Sequence, residues 1–213
     1  MPSSIKTHVV KFVVAGIMLA APLPALAQSL VIGQSGGVTV GNQRGVAAQT
    51  SVGVTVSPYF RITGEYGHLS SILPQSVSDD INSQASTYAS QFGNTATTSG
   101  SLHADTFSAM VRAHTDSSQT VGAFVEAGGG FAHLSGSYFA TMVDPVNGNS
   151  DITSQVAEPV LTSSTQGLFT VGGGLTFAIN RRTGLDVGYR FNRIGGDTPI
   201  NSGSFYTGLQ LRF

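Results

Sequence analysis

The chain has no cysteine, so neither a disulfide framework nor a thiolate metal site can support it. It has little charge: 10% of its 213 residues are Asp, Glu, Lys or Arg, against about 25% in soluble domains. Glycine (27 residues), Ser and Thr take their place. There is no basic excess either. A net charge of −1 and a pI near 6.5 provide no clustered cations for a phosphate backbone, which excludes a nucleic-acid partner. After Ala27 no stretch approaches the ~18 apolar residues of a spanning helix, so no second helix anchors the chain in an inner membrane. A single domain this poor in charge suits a surface that faces something other than water.

The first residues hold a basic stretch with Lys6 and Lys11, an apolar run from Phe12 to Ala21, and a Pro22-Leu23-Pro24 break before Ala25-Leu26-Ala27. That order is the layout of a secretory signal peptide cleaved after Ala27, and the apolar run is too short for a permanent anchor. Residues 1–27 are therefore expected to be a leader, and residues 28–213 the mature domain.

Beyond the leader the dominant signal is period two, because successive strand side chains face opposite sides. In the last segment Phe205, Leu209, Leu211 and Phe213 alternate with Tyr206, Gly208, Gln210 and Arg212. Leu185, Val187, Tyr189 and Phe191 alternate with Asp186, Gly188, Arg190 and Asn192, and the segment Leu168 to Ile179 repeats the design. Val121 to Leu134, His103 to His114, Tyr59 to Leu69 and Gly45 to Val56 follow, with a glycine-rich first strand between Leu30 and Gly41. Eight strands is about the smallest number that closes a barrel, and ~10 residues cross a bilayer when tilted. The expected fold is all-β, a transmembrane antiparallel up-and-down barrel.

The connections test this. Ser57-Pro58, Thr115 to Ser118 and Asn180-Arg181-Arg182 are short, as periplasmic turns should be. Residues 70–101 and 135–165 form two long extracellular loops, with brief outer connections near Asn42 and from Gly195 to Ser202. A soluble eight-stranded barrel also alternates, but with charges outside. Here Arg61, Glu65, Arg112, Glu126, Asp186 and Arg190 occupy the polar parity, leaving too few charges for a water-facing exterior.

Val171-Gly172-Gly173-Gly174-Leu175, Gly184-Leu185-Asp186-Val187-Gly188-Tyr189-Arg190-Phe191 and the terminal Tyr206-Thr207-Gly208-Leu209-Gln210-Leu211-Arg212-Phe213 resemble the outer membrane protein β-barrel domain family of small porin-like and opacity-type surface proteins. Val54-Thr55-Val56-Ser57-Pro58, Thr63-Gly64-Glu65-Tyr66-Gly67 and Val125-Glu126-Ala127-Gly128 resemble its earlier strands. The resemblance implies an outer-membrane location. It also implies a C-terminal signal for the barrel-assembly machinery, carried by Phe205, Leu209, Leu211 and Phe213.

For function, the six inward charges are expected to form an ion-pair network that fills the lumen, since buried charges need partners. A monomeric structural or surface-interaction protein is expected, with lipid around it and any extracellular ligand on loops 70–101 and 135–165. The alternatives are a narrow passive channel and, less favoured, an outer-membrane enzyme using His103-x-Asp105 and loop serines. No cofactor, metal or catalytic residue is assigned: His68, His103 and His133 fall near outer strand ends on the lipid-facing parity, without tight ligand spacing. Gly128-Gly129-Gly130 and Gly172-Gly173-Gly174 suit curvature or close packing, with no phosphate-loop pattern. Val77, Ile81, Ala85, Tyr88 and Phe92 fall near helical spacing, leaving open a short amphipathic helix over the mouth or a mobile polar loop. The turn cluster Val143 to Asn149 lacks the spacing of a calcium loop.

Overall fold

The structure, a computed structural model, describes residues 29–40, 44–115, 120–154 and 163–213. The leader, the Asn42 connection and most of the turn after Thr115 lie outside the described residues. The elements in chain order are β1 (Ser29–Val40), β2 (Gly45–Ser57), β3 (Phe60–Leu69), α1 (Gln75–Ser90), β4 (Thr95–His114), β5 (Val121–Asp144), β6 (Gly148–Asp151), β7 (Ser164–Ala178), β8 (Thr183–Ile194) and β9 (Ile200–Arg212). The strands form one antiparallel sheet in the order β4-β3-β2-β1-β9-β8-β7-β5-β6, and pairing of β4 with β5 closes eight of them into a ring. The chain is thus an eight-stranded up-and-down barrel with a small ninth strand appended to β5.

The glycine-rich first strand is fully formed. β1 pairs with β2 on one side and β9 on the other, and the Phe213 amide donates to the Leu30 carbonyl at 2.9 Å. This seam joins the two described chain ends at the short-turn rim, where all backbone groups of a membrane barrel must find partners.

Alternation sorts the side chains as period two requires. On β5, Val121, Val125 and Phe131 are exposed while Phe124, Glu126 and Ala132 are buried. Outward-facing Tyr66 and Phe107, and Tyr189 and Phe205, form tilted ring pairs with centroids 5.0 Å and 4.9 Å apart. Among the described residues no helix is long and apolar enough to cross a membrane; the crossing is made by strands.

The inward glycines of the triplets have a specific task. A Cβ on Gly130 would lie 1.8 Å from the Phe107 carbonyl oxygen, and one on Gly174 would lie 2.2 Å from that of Val187. Only glycine lets neighbouring strands coil this tightly in a small barrel.

The two outer connections are more structured than the sequence pattern suggested. β4 begins at Thr95 instead of His103, and β5 runs to Asp144 instead of Leu134, so the two strands continue as a paired hairpin well past the barrel rim. Alternating Thr, Ser, Tyr, Phe, Met and Val in 135–144 favour a pleated strand whether or not lipid surrounds it. Residues 75–90 adopt the helix, and its buried Ile81, Ala85 and Ala89 form its inner face. Ala85 joins Ala140 and Ile152 in a small core flanked by Tyr88, Ala96, Tyr138 and Met142. At the other rim, Tyr59 and Ile179 belong to turns instead of strands.

Candidate functional site

The barrel interior is the best-defined polar site. Arg61 lies on β3, Arg112 on β4, Glu126 on β5, and Asp186 and Arg190 on β8, each on the inward parity of its strand and each buried. Glu126 is its centre, with a side chain 1% exposed. Its Oε2 accepts from Arg112 Nε at 3.0 Å and Nη2 at 2.8 Å. Its Oε1 accepts from Arg190 Nε at 2.9 Å, Arg190 Nη2 at 2.5 Å and the Tyr206 hydroxyl at 3.2 Å. Arg190 also reaches across the lumen to Glu65 Oε2 at 2.7 Å and Gln49 Oε1 at 2.7 Å. Arg112 Nη1 donates to Asp186 Oδ2 at 2.5 Å, and the Thr176 hydroxyl donates to Asp186 Oδ1 at 2.6 Å.

Arg61 stands apart. It donates to Gln210 Oε1 at 2.6 Å and reaches Asp186 only through that amide, whose Nε2 donates to Asp186 Oδ2. The six charges therefore do not form three simple pairs: Glu126 holds two arginines, and Arg61 is held by an amide. The guanidinium groups of Arg112 and Arg190 also lie over aromatic rings, 4.0 Å from the Phe124 centroid and 5.3 Å from that of Tyr206. Such stacking favours a weakly hydrated cation in a confined space. Between the network and the β1–β2 wall a cavity of about 40 Å³ is lined by Gly33, Gln49, Ser51, Arg61, Glu65 and Gln210 among others. That is room for a few waters, not for a solute.

A second interior layer went unseen in the sequence. Toward the outer end the inward parity turns apolar: Ala47, Leu69, Leu102, Ala104, Ala132, Leu134, Leu168, Ile194 and Ile200 form one buried cluster. The chain leaving β3 turns inward over it, adding Ile72 and Leu73, 6% and 3% exposed. Ser71, at φ 55°, takes the left-handed conformation that makes this reversal, a strained choice for a residue with a Cβ. Outward polarity inverts at the same height, as the dipeptides His68-Leu69, Leu102-His103 and His133-Leu134 show. That swap was the available signal: below it the exterior meets lipid, above it water.

The three histidines are outward-facing at this height. His68 Nδ1 lies 2.8 Å from Asp105 Oδ1, the His68 and His103 rings have centroids 5.7 Å apart, and His133 contacts the Thr165 and Ser163 hydroxyls. No group of three or more His, Cys, Asp or Glu side chains among the described residues is arranged to hold a metal.

A closed antiparallel ring, apolar outside and filled by its own side chains, defines a small outer-membrane β-barrel. The chain belongs to the outer membrane protein β-barrel domain family, whose model matches residues 13–213. Among solved structures it is similar to Neisserial surface protein A (NspA), at 17% identity and TM-score 0.51, covering 87% of this chain and 97% of that one. It is also similar to the N-terminal β-barrel domain of Pseudomonas aeruginosa OprF, at 12% identity and TM-score 0.51, covering 88% and 98%. At these identities the likeness concerns the fold. No curated protein matches.

Proposed function

We propose that the mature protein, freed of residues 1–27, is a monomeric, non-catalytic surface-interaction barrel whose lumen is sealed. The observation that carries this reading is the double closure: a layer of interlocked charges at mid-barrel and a separate apolar layer beneath Ile72 and Leu73. An eight-stranded barrel has little internal width to begin with, and an apolar constriction adds a dewetting barrier to the electrostatic one. The narrow-channel alternative is thereby disfavoured.

With transport set aside, contact falls to what the barrel displays. The β4–β5 hairpin, β6 and α1 give it a folded platform with a core of its own, and a rigid loop region meets a partner at lower entropic cost than a mobile one. Exposed Phe92, Phe139 and Val146 on that platform suit a partner at the cell surface. The outward positions Phe205, Leu209, Leu211 and Phe213, 57%, 53%, 47% and 68% exposed, support the role of β9 as the assembly signal.

Planar-bilayer recording of the refolded protein tests the seal. The expected result is no stable single-channel conductance; sustained conductance refutes it. Binding of intact cells to host or matrix surfaces should vanish on removal of the platform while heat-modifiable migration of the barrel persists. Binding that survives would refute the surface role.

A further inference from the structure

A cavity of about 230 Å³ opens at the outer rim of the barrel, between the segment that turns inward after β3 and the start of β9. Ile72, Leu73 and Ile200 line it from the apolar layer below, each at most 6% exposed. Val40, 50% exposed, and the exposed Pro199 line it at the surface. The cavity is therefore reached from the outer side, and its inner end rests on the apolar layer.

Both of its walls are pinned. The Ser70 amide donates to the Val46 carbonyl of β2 at 2.9 Å, and the Ile72 amide donates to the Leu102 carbonyl of β4 at 3.0 Å. The Thr39 hydroxyl of β1 donates to the Ser70 carbonyl at 3.4 Å. Between these anchors Ser71 is held at φ 55°, and backbone strain of this kind persists where the surrounding structure fixes a site. On the opposite wall Val40 pairs with Gly203, while Ile200 and Ser202 pair with Ile194 and Asn192 of β8. Walls held in this way define the cavity before any ligand arrives, so binding carries little ordering cost.

The lining selects the ligand's chemistry. No Asp, Glu, Lys, Arg or His lines the cavity, which leaves nothing to neutralise a charged ligand. Ser202 is its one deeply buried polar group: it is 5% exposed, and among the described residues nothing hydrogen-bonds its hydroxyl. A hydroxyl buried this far needs a partner, and the cavity it lines is where one can stand. Size narrows the choice further. An apolar cavity of about 150 Å³ takes up benzene, so 230 Å³ admits one ring with a small substituent and a polar atom. We infer that this cavity binds an uncharged monocyclic molecule with one hydroxyl or carbonyl oxygen, its ring on Ile72, Leu73 and Ile200 and its oxygen on Ser202.

The test is methyl NMR titration of the full refolded barrel in nanodiscs with 4-methylphenol, toluene and 4-methylbenzoate. 4-Methylphenol should give saturable shifts centred on the methyls of Val40, Ile72, Leu73 and Ile200. Toluene should perturb the same methyls with about fivefold weaker affinity, the worth of one neutral hydrogen bond, and 4-methylbenzoate should not bind. Ser202→Ala should lower the affinity for 4-methylphenol to that for toluene and leave toluene unchanged, with heat-modifiable migration showing that the variant is folded. Shifts that do not saturate and that spread to outward methyls such as Leu209 and Leu211 would mean partition into the bilayer and would overturn the inference. Equal binding of 4-methylbenzoate, or an unchanged preference for 4-methylphenol over toluene in Ser202→Ala, would overturn it as well. The cavity lies above the lumen, so none of these outcomes depends on the seal, which the conductance measurement addresses separately.

Discussion

Arg190 and Glu126, 64 residues apart in sequence and on strands β8 and β5 that do not pair with each other, meet inside the barrel through two hydrogen bonds to one carboxylate oxygen. β7 separates them in the sheet, and its inward residue at that level is Gly172, which pairs with both. A Cβ at Gly172 would lie 3.2 Å from Glu126 Oε1. Glycine on the middle strand therefore leaves the space through which the charges on either side make contact.

Removing one member of a buried network leaves its neighbours charged with one partner missing, which costs up to about 3–5 kcal/mol. Glu126→Gln should show the largest loss because two arginines depend on it, and Arg61→Gln a smaller one because only an amide is lost. Urea unfolding of the refolded barrel in detergent, followed by heat-modifiable migration, measures both. Equal midpoints for the two variants would contradict the central position of Glu126.

The apolar layer is a stability element of a different kind. Leu69, Leu134 and Ile194, at 1%, 8% and 0% exposure, are packed on all sides, so truncation to Ala should cost about 2–5 kcal/mol by transfer plus cavity terms. Outward Phe131, 65% exposed, should cost much less when truncated and assayed in detergent, where micelle chains replace its contacts. The same unfolding series checks this, and equal losses at Leu69 and Phe131 would argue against a lumenal plug.

These two layers differed in how far the sequence revealed them. Arg61, Glu65, Arg112, Glu126, Asp186 and Arg190 stand out because a charge among alternating apolar residues can face only one way, and strand parity carries that information locally. Which carboxylate meets which arginine is not local: it depends on shear and register around the ring. Leu69, Leu134 and Ile194 were invisible for another reason, since an apolar residue beside a lipid-facing strand reads as more lipid face until the outward neighbour turns polar. The platform was legible only in part, because the helical spacing of Ile81 and Ala85 is plain whereas the continuation of β4 and β5 into the expected loops depends on tertiary support from that helix.

The glycine at position 130 should control assembly more than final stability. With a Cβ placed 1.8 Å from the Phe107 carbonyl oxygen, Gly130→Ala must push β4 from β5 in the middle of their pairing. Folding into lipid vesicles should slow markedly, and the ring should close with a lower yield of heat-modifiable product. The control is Gly167→Ala, where an added Cβ meets nothing within 4 Å, and whose folding should match the parent. Identical kinetics for the two would refute the close-approach argument.

The platform should fail independently of the barrel. Ala85 is fully buried on the inner face of α1 against Ala140 and Ile152, so Ala85→Asp places an unpaired charge in a core that cannot solvate it. Limited proteolysis of the variant should cut within 75–101 under conditions that leave the parent intact, while heat-modifiable migration is unchanged. Loss of the barrel band would mean that the two parts fold as one unit.

The hairpin tip linking β5 to β6 supplies an acid-sensitive element outside the membrane. Asp144 accepts from the Asn147 side chain at 2.9 Å and from the Val146 and Asn147 amides at 2.8 Å and 3.1 Å, and these bonds hold its carboxyl below the ordinary aspartate range. A depressed folded value means that the ordered turn prefers the carboxylate. Its contribution is complete above the unfolded value of about 3.9 and is lost as pH falls through the lower folded value. NMR titration should therefore show order in the turn persisting through mild acid and released only in strong acid. Asp144→Ala should give a turn already mobile at neutral pH, with no further change on acidification. A titration of Asp144 at or above the ordinary aspartate range would contradict the turn geometry.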